Sequence, residues 1–492
     1  MTFLNEGPRV DRRLLFKSFI SPSKLLSTLL KQNITVLFCN CRSRSIIDFE
    51  DVETFIRDIG IKDVISHDSL CSLEGIEFYK NVLNNFPKKL IVLACSKRNF
   101  KDIADEMNYP TENLYVLEIQ ELCGFVHSDL FKATEKAKRM IASFIAQNFS
   151  QTQKEVGGTV LARSKGLEAK DIRTLYGRPE LCLSFKGACS SCMSYCPRDA
   201  ISSHISLLVD RRLCNVCGVC ENVCLQDVFY IFPLNPDFRL GLDYLLKESW
   251  KTSGAKKGKN FLEHNILVFA CGEEVKNTFI RAGISGQKYK EEILPTFLPS
   301  PSAITVNLIL QAFNKGAQKV ILLGDNSCPP KIKAYVENAI IACKMISSKL
   351  NDRIRFFWIK ENDVTTLINI LEGETEDVEP EVLRKQEVSV DYDDRREELV
   401  DLIISLSDKE VIPSSKLTPF GFIEINKSDC SLCGKCANIC PTNALTFHEG
   451  HIYFDHSKCV GCNICESVCE KRLLKCYQEI RTAFLDKSIK VV

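Results

Sequence analysis

The residues most able to do chemistry in this chain are its cysteines. Twenty-five of the 492 residues are cysteine, roughly 5%, too many for chance and too few for a small disulfide scaffold. Five lie in 39–123, eight in 182–224, three in 271–343 and nine in 430–476. In the last group Cys430, Cys433, Cys436 and Cys440 follow C-x2-C-x2-C-x3-C, with Pro441 next, and Cys459, Cys462, Cys465 and Cys469 repeat the spacing. Three cysteines with two residues between each let one tight loop wrap three corners of an iron–sulfide cube, while a remote thiolate finishes the fourth. Pro441 can neither continue a helical turn nor donate a backbone hydrogen bond, so it fixes the turn after Cys440. Four-cysteine zinc sites also use C-x2-C pairs, but they are normally built from two separated pairs rather than a triplet plus one.

The doubled motif resembles the two-cluster bacterial ferredoxins. That resemblance implies that the fourth cysteine of each motif serves the other [4Fe-4S] cluster. Cys430, Cys433, Cys436 and Cys469 would then hold one cluster, and Cys459, Cys462, Cys465 and Cys440 the other, in a module spanning 419–480. A second ferredoxin-like module is expected at 178–232. Cys214, Cys217, Cys220 and Cys224 form a complete motif, and Cys189, Cys192 and Cys196, followed by Pro197, match the last three positions of another. Its first position is Lys186, but Cys182 lies four residues upstream. We expect Cys182, Cys189, Cys192 and Cys224 to hold one [4Fe-4S] cluster, and Cys196 to join Cys214, Cys217 and Cys220 on another. The rival is a three-iron cluster that leaves Cys182 as a core thiol.

These motifs sit among elements of another kind. Ile34–Phe38, Leu90–Ala94 and Leu114–Ile119 read as strands, with helical periodicity in Asp51–Ile59, Phe100–Met107 and Asp129–Ala146. Such alternation predicts a parallel-sheet α/β domain at 30–148. A second is predicted at 262–372, with strands at Ile266–Ala270, Val320–Leu323 and Ile354–Ile359 and helices at Ser302–Phe313 and Ile332–Leu350. The fold class is therefore mixed α/β and α+β, two parallel-sheet domains alternating with two ferredoxin-like modules. Glu248–Lys259 reads as a Lys/Gly/Ser-rich linker, and 373–418 as an acidic linker region containing Pro380 and Asp391-Tyr392-Asp393-Asp394.

In the first α/β domain Cys39 and Cys95 end predicted strands, and Cys71 and Cys123 fall in loops. In a parallel sheet these positions converge on one edge, where ligands bind. The segment 33–148 resembles the N-terminal domain of heterodisulfide reductase A, through Cys39-Asn40-Cys41, Leu70-Cys71-Ser72, Ala94-Cys95-Ser96, Cys123-Gly124-Phe125-Val126-His127 and Ala133-Thr134-Glu135-Lys136-Ala137-Lys138. The resemblance implies a fifth cluster, of non-ferredoxin type, held by Cys41, Cys71, Cys95 and Cys123. Cys39 competes with Cys41 as the ligand, Arg42 departs from the family's more usual glycine, and His127 is expected to be a structural partner. That family carries a flavin domain opened by Gly-x-Gly-x-x-Gly. Gly157-Gly158 and Gly166 form no such fingerprint, so no flavin is expected. The 262–345 segment resembles the delta subunit of methyl-viologen-reducing hydrogenase through Ser302 to Leu323 and Leu323-Gly324. Of that family's paired cysteines Cys271 and Cys328 remain, with Ser300-Pro301 where a companion would stand, so its 2Fe–2S cluster is expected to be lost. Cys343 and Cys476 read as packed or spare thiols.

Lys+Arg (64) and Asp+Glu (63) balance to +1, which argues against a nucleic-acid binder driven by bulk charge. No apolar run of about 18 residues predicts a transmembrane helix. Arg12-Arg13-Leu14-Leu15-Phe16-Lys17 looks like a twin-arginine signal, but the segment after it is poorly apolar, so a cytoplasmic chain is expected. The expected function is a non-catalytic electron-transfer subunit with four to five clusters, working with other subunits of a redox complex, a soluble ferredoxin, or hydrogenase, formate dehydrogenase or heterodisulfide reductase subunits. The alternative is a catalytic oxidoreductase that reduces a disulfide or similar small substrate at the N-terminal site.

Overall fold

The computed structural model describes residues 34–41, 45–95, 97–149, 159–164, 173–184, 187–203, 207–232, 238–246, 265–375, 381–389 and 394–492. The twin-arginine segment, Arg42, Gly157-Gly158, Gly166, Lys186, the 248–259 linker, Pro380 and Asp391-Tyr392-Asp393 lie outside them. The described residues fall into two compact units, 34–141 and 142–492.

In the first unit four strands pair in parallel in the order β2-β1-β3-β4: β1 (Ile34–Cys39), β2 (Asp63–His67), β3 (Lys89–Leu93) and β4 (Leu114–Leu117). All six residues of β1 are buried, as a central strand covered on both faces requires. Helices α1 (Phe49–Asp58), α2 (Leu73–Asn84), α3 (Lys97–Glu106) and α4 (Leu130–Phe149) follow the strands. Asp48 and Ser72 cap α1 and α2 by accepting from the backbone N–H of Asp51 and Gly75. β2 and α2 go beyond the sequence reading: β2 buries only Val64, so an apolar run does not mark it. β4 stops at Leu117 rather than Ile119, because the chain turns into a π-helical coil at Gln120–Gly124.

In the second unit the same topology recurs. β10 (Ile266–Cys271), β11 (Ile293–Leu298), β12 (Lys319–Asp325) and β13 (Ile354–Ile359) form a parallel sheet in the order β11-β10-β12-β13. β11 carries Pro295 and is an edge strand, where a missing N–H is tolerated. Around this sheet run α8 (Glu273–Ile284), α9 (Val306–Asn314), α10 (Pro330–Ile346) and α11 (Val364–Gly373). Before it come β5 (Thr159–Arg163), β6 (Thr174–Gly177), α5 (Ser191–Tyr195), the hairpin β7–β8 (Ile201–Ser203, Leu207–Val209), α6 (Val219–Val223), β9 (Phe229–Phe232) and α7 (Phe238–Leu245). After it come α12 (Arg395–Leu406), β14 (Val411–Pro413), β15 (Phe422–Ile425), α13 (Lys435–Asn438), β16 (Leu445–His448), β17 (His451–Asp455), α14 (Ile464–Ser467), β18 (Leu474–Tyr477), β19 (Glu479–Arg481) and β20 (Ser488–Lys490). The molecule is thus mixed α/β and multidomain, with two parallel-sheet regions and smaller antiparallel sheets between and after them.

The stretch read as an acidic connector differs from that expectation. Within it α12 buries Leu399, Leu402, Ile403 and Leu406 and packs on α9. α9 is buried on every side, yet carries Asn307, Gln311 and Asn314. These stand at i, i+4 and i+7, one helix face, and each donates into the 386–405 segment: Asn307 to Glu398, Gln311 to Val388 O and Asn314 to Ser405. Buried amide N–H groups need acceptors, and the connector supplies them.

Candidate metal centres

The C-terminal module carries its two cysteine loops between antiparallel strands, β15 pairing β18 across the module and β16 pairing β17 in a hairpin. In the first loop Leu432 and Gly434, the residues on either side of Cys433, have φ of 53° and 71°. In the second, Gly461 and Asn463 flank Cys462 with φ of 64° and 60°. The middle loop repeats the pattern, with Val216 and Gly218 around Cys217 at 55° and 90°. Left-handed residues so placed curl the chain until its N–H groups point at the sulfurs. Gly461 and Ile464 N–H reach Cys459 and Cys462, and Val216 and Val219 N–H reach Cys214 and Cys217. A further left-handed residue stands three places after each fourth cysteine: Asp199, Asp227, Asn443 and Arg472. Next to it, Ala200 N–H donates to Cys196 Sγ at 3.3 Å and Leu473 N–H to Cys469 Sγ at 3.4 Å.

Three of the fourth cysteines, Cys440, Cys224 and Cys196, act on thiols of the other motif. Cys440 joins Cys459 and Cys462 in raising the Cys465 thiol to about 12, after burial, the larger cause. Cys430 and Cys433 do the same for Cys436. In the middle module burial pushes Cys192 up first, and the charges of Cys224, Cys189 and Cys182 add to it. Cys196 bears on Cys214 and Cys217. The structure therefore brings upstream Cys182 to the Cys189–Cys192 loop, where Ser184 Oγ lies 2.9 Å from its sulfur. Cys476, read as spare, hydrogen-bonds Cys459 and holds that thiol down against burial.

In the first unit Cys39 ends β1, Cys95 follows β3, and these neighbouring strands mark the point where strand order reverses, the usual ligand edge. Burial, then Glu121, Cys39, Cys71 and Cys41 raise Cys95 to about 12. Cys41 has φ of 43°, and Leu70 N–H donates to Cys39 Sγ at 3.4 Å. The Cys123 thiol faces Met140 Sδ at 3.6 Å, and burial raises it to about 12 with Lys136 opposing. His127 accepts from Lys136 Nζ at 2.9 Å. Cys39 and Glu121 are the residues sequence reading set aside or missed; both adjoin apolar residues and give no spacing signal.

In the second sheet Cys271 ends β10 and Cys328 follows β12, and the Cys328 charge adds to burial in raising Cys271. The turn where a companion cysteine would stand serves another purpose. Ser302 Oγ donates to Cys217 O at 2.7 Å, and Asn222 donates to Ser302 O at 2.7 Å, so this turn buttresses the Cys214–Cys220 loop. Cys343 packs inside α10.

Among the described residues no three His, Cys, Asp or Glu side chains converge on one metal ion. Thiolates on a cubane bind different irons and stand further apart than ligands of a single ion. The all-thiol donor sets, the curled loops and the N–H groups aimed at sulfur fit such a group.

Residues 429–473 match the 4Fe-4S dicluster domain, and residues 266–380 match the delta subunit of methyl-viologen-reducing hydrogenase. The chain therefore contains a 4Fe-4S dicluster domain and a hydrogenase delta-subunit-like domain. A 47-residue stretch is 40% identical to indolepyruvate oxidoreductase subunit IorA of Archaeoglobus fulgidus, covering 10% of this chain and 8% of that one. Forty-two residues are 38% identical to the putative electron transport protein YsaA of Escherichia coli, covering 8% and 27%. Fifty-four residues are 35% identical to the E. coli ferredoxin-like protein YdhY, covering 10% and 26%. These matches span between 8% and 27% of the relatives' lengths. Among the described residues no helix is long and apolar enough to cross a membrane.

Proposed function

We propose that this chain is an electron-transfer subunit of a larger redox complex, holding [4Fe-4S] clusters in both ferredoxin-like modules and at the edge of the first sheet. The observation that carries this reading is the repeated loop: three triplets share left-handed residues on both sides of the middle cysteine, and four fourth cysteines share one three places on. Bound cubanes supply one-electron relays at potentials set by charge, burial and hydrogen bonds to sulfur. The chain's own residues set those conditions. N–H donors stabilise the added electron's charge, and apolar packing keeps water from the buried thiolates such as Cys192, Cys220, Cys459 and Cys465.

The reading assigns Cys430, Cys433, Cys436 and Cys469 to one cluster and Cys459, Cys462, Cys465 and Cys440 to a second. Cys214, Cys217, Cys220 and Cys196 hold a third, and Cys182, Cys189, Cys192 and Cys224 a fourth. For the N-terminal cluster the reading takes Cys39, Cys41, Cys71 and Cys95 rather than the set with Cys123, because the charges of Cys39, Cys71 and Cys41 bear on Cys95 and the Cys123 thiol faces Met140. The hydrogenase-like domain acts as a scaffold, since its serine turn supports a neighbouring cysteine loop. The 33–148 segment is read as heterodisulfide reductase A-like, without that family's flavin domain, in a cytoplasmic chain. Partners are other subunits of such a complex. The names of the relatives, one an electron transport protein and one part of an oxidoreductase, agree with this class.

Iron and acid-labile sulfide analysis of anaerobically purified chain, with EPR, tests the reading. About 16–20 irons per chain are expected from four or five cubanes. A colourless chain loaded with zinc would overturn it.

A further inference from the structure

Two adjacent arginines open α12. Arg395 reaches the middle module, pairing with Asp227 at 3.1 Å and donating to Glu221 O. Arg396 reaches the C-terminal module, donating from Nε to Ser457 O at 2.6 Å, from Nη1 to Pro419 O at 3.0 Å and from Nη2 to Cys459 O at 2.8 Å. Its guanidinium lies over the Phe420 ring, 4.0 Å from the centroid. The side chain is 7% exposed, and among the described residues no carboxylate lies within ion-pair distance of it. Asp394 and Asp455 act on it from further off. Asp394 is committed to capping α12, and Asp455 to Lys458 and Ser457. A buried cation held by carbonyls alone is costly unless an anion shares its site. Arg396 touches Cys459 through its carbonyl, and the turn whose Pro419 O it binds also meets the other module, where Ser191, two residues after Cys189, donates to Lys416 O at 2.7 Å. The remaining negative groups that act on Arg396 are the thiolates of these two cysteines. A cubane held by four thiolates is a net anion, and the more so when reduced.

Resting on the electron-transfer reading, we infer that Arg396 is the shared counter-cation of two cubane sites, Cys459/Cys462/Cys465/Cys440 and Cys182/Cys189/Cys192/Cys224, and that it raises both reduction potentials. It is a positioning residue for charge: a fixed cation lowers the free energy of the reduced anion more than of the oxidised one. Because one side chain serves both sites, the two modules are poised together, while the sites built on Cys430 and Cys214 are poised separately.

The test is an EPR-monitored redox titration of the whole chain, purified without oxygen, as wild type, Arg396→Gln and Arg396→Lys. In Arg396→Gln two midpoint potentials should fall, each by roughly tenfold in the reduction equilibrium, about 59 mV for one electron, while the others stay fixed. Arg396→Lys should restore them. Exposed Lys435, beside Cys436, is paired with Glu470; Lys435→Gln should move neither of the two. A fully loaded Arg396→Gln with wild-type potentials throughout, or with all potentials shifted alike, overturns the inference and leaves the electron-transfer reading intact. A wild-type chain without iron fails that reading instead. Should Arg396→Gln shed iron, Arg396→Met is titrated in its place: the same two potentials lowered by about 59 mV, a tenfold change in the reduction equilibrium, support the inference, and wild-type potentials overturn it.

Discussion

His456 shows how a single residue can be committed to one protonation state. Its Nδ1–H donates to Gly421 O at 3.0 Å, and its Nε2 accepts from Arg481 N–H at 2.9 Å. It is fully buried among Phe420, Phe422 and Phe454. Burial first, then the Arg396 and Arg481 charges, hold its pKa down to about 4. In the unfolded chain the value is about 6.5. The unfolded state therefore binds the extra proton between these values, so stability is complete above about pH 6.5 and falls as pH drops towards 4. The shift corresponds to about 3 kcal/mol across that window. Denaturant midpoints taken from pH 7 to pH 5 should fall in the wild type and fall less steeply in His456→Asn. Parallel slopes would refute the assignment. The left-handed residues beside the cysteines carry no such titration, but they are equally specific, because a residue with a Cβ at positive φ is costly unless its surroundings hold it there.

The loops around the clusters are short enough that their geometry depends on one or two positions. Gly461 combines φ of 64° with a crowded site: a Cβ there would lie 2.9 Å from Phe420 O. Gly461→Ala should cost about 1–2 kcal/mol from backbone conformation alone, with the backbone contact adding to it. Asn463→Gly, at φ of 60°, should be close to neutral. Thermal melts read alongside the visible absorbance of the clusters check both, and equal losses in the two variants would count against the curled-loop account. α12 depends on packing rather than on backbone conformation. Its acidic surroundings in sequence suggest a solvated connector, but Leu399, Leu402 and Ile403 form an apolar stripe, and the helix packs on α9.

Across the whole molecule the two compact units hold separate cysteine sets. Leu37, Cys39, Val92 and Ala94 belong to one core in the first unit, while Cys430, Cys440, Cys459 and Cys469 pack around another in the second. Cys39→Ser should therefore lower the iron content by about four atoms per chain and leave the EPR signals of the second unit unchanged. Cys123→Ser should keep all the iron, since its thiol faces Met140 rather than Cys95. Iron loss from Cys123→Ser with none from Cys39→Ser would return the ligand set to the one read from sequence.

The C-terminal ferredoxin motif was legible because a cube imposes its spacing on a local loop. The two parallel sheets were legible in part, because buried central strands such as β1 and β12 are continuous apolar runs. β2 and β11 were not, since an edge strand with polar residues or a proline has no such signature. The amino-acid sequence alone determined which thiols come in triplets, and hence the class of cofactor the chain is built to hold. Only the tertiary structure decided that Cys123 faces Met140, that Asn307, Gln311 and Asn314 bind the connector, and that Arg396 donates to Ser457, Pro419 and Cys459 carbonyls. Those outcomes depend on contacts between residues far apart in the chain, and spacing along a sequence encodes no such distance.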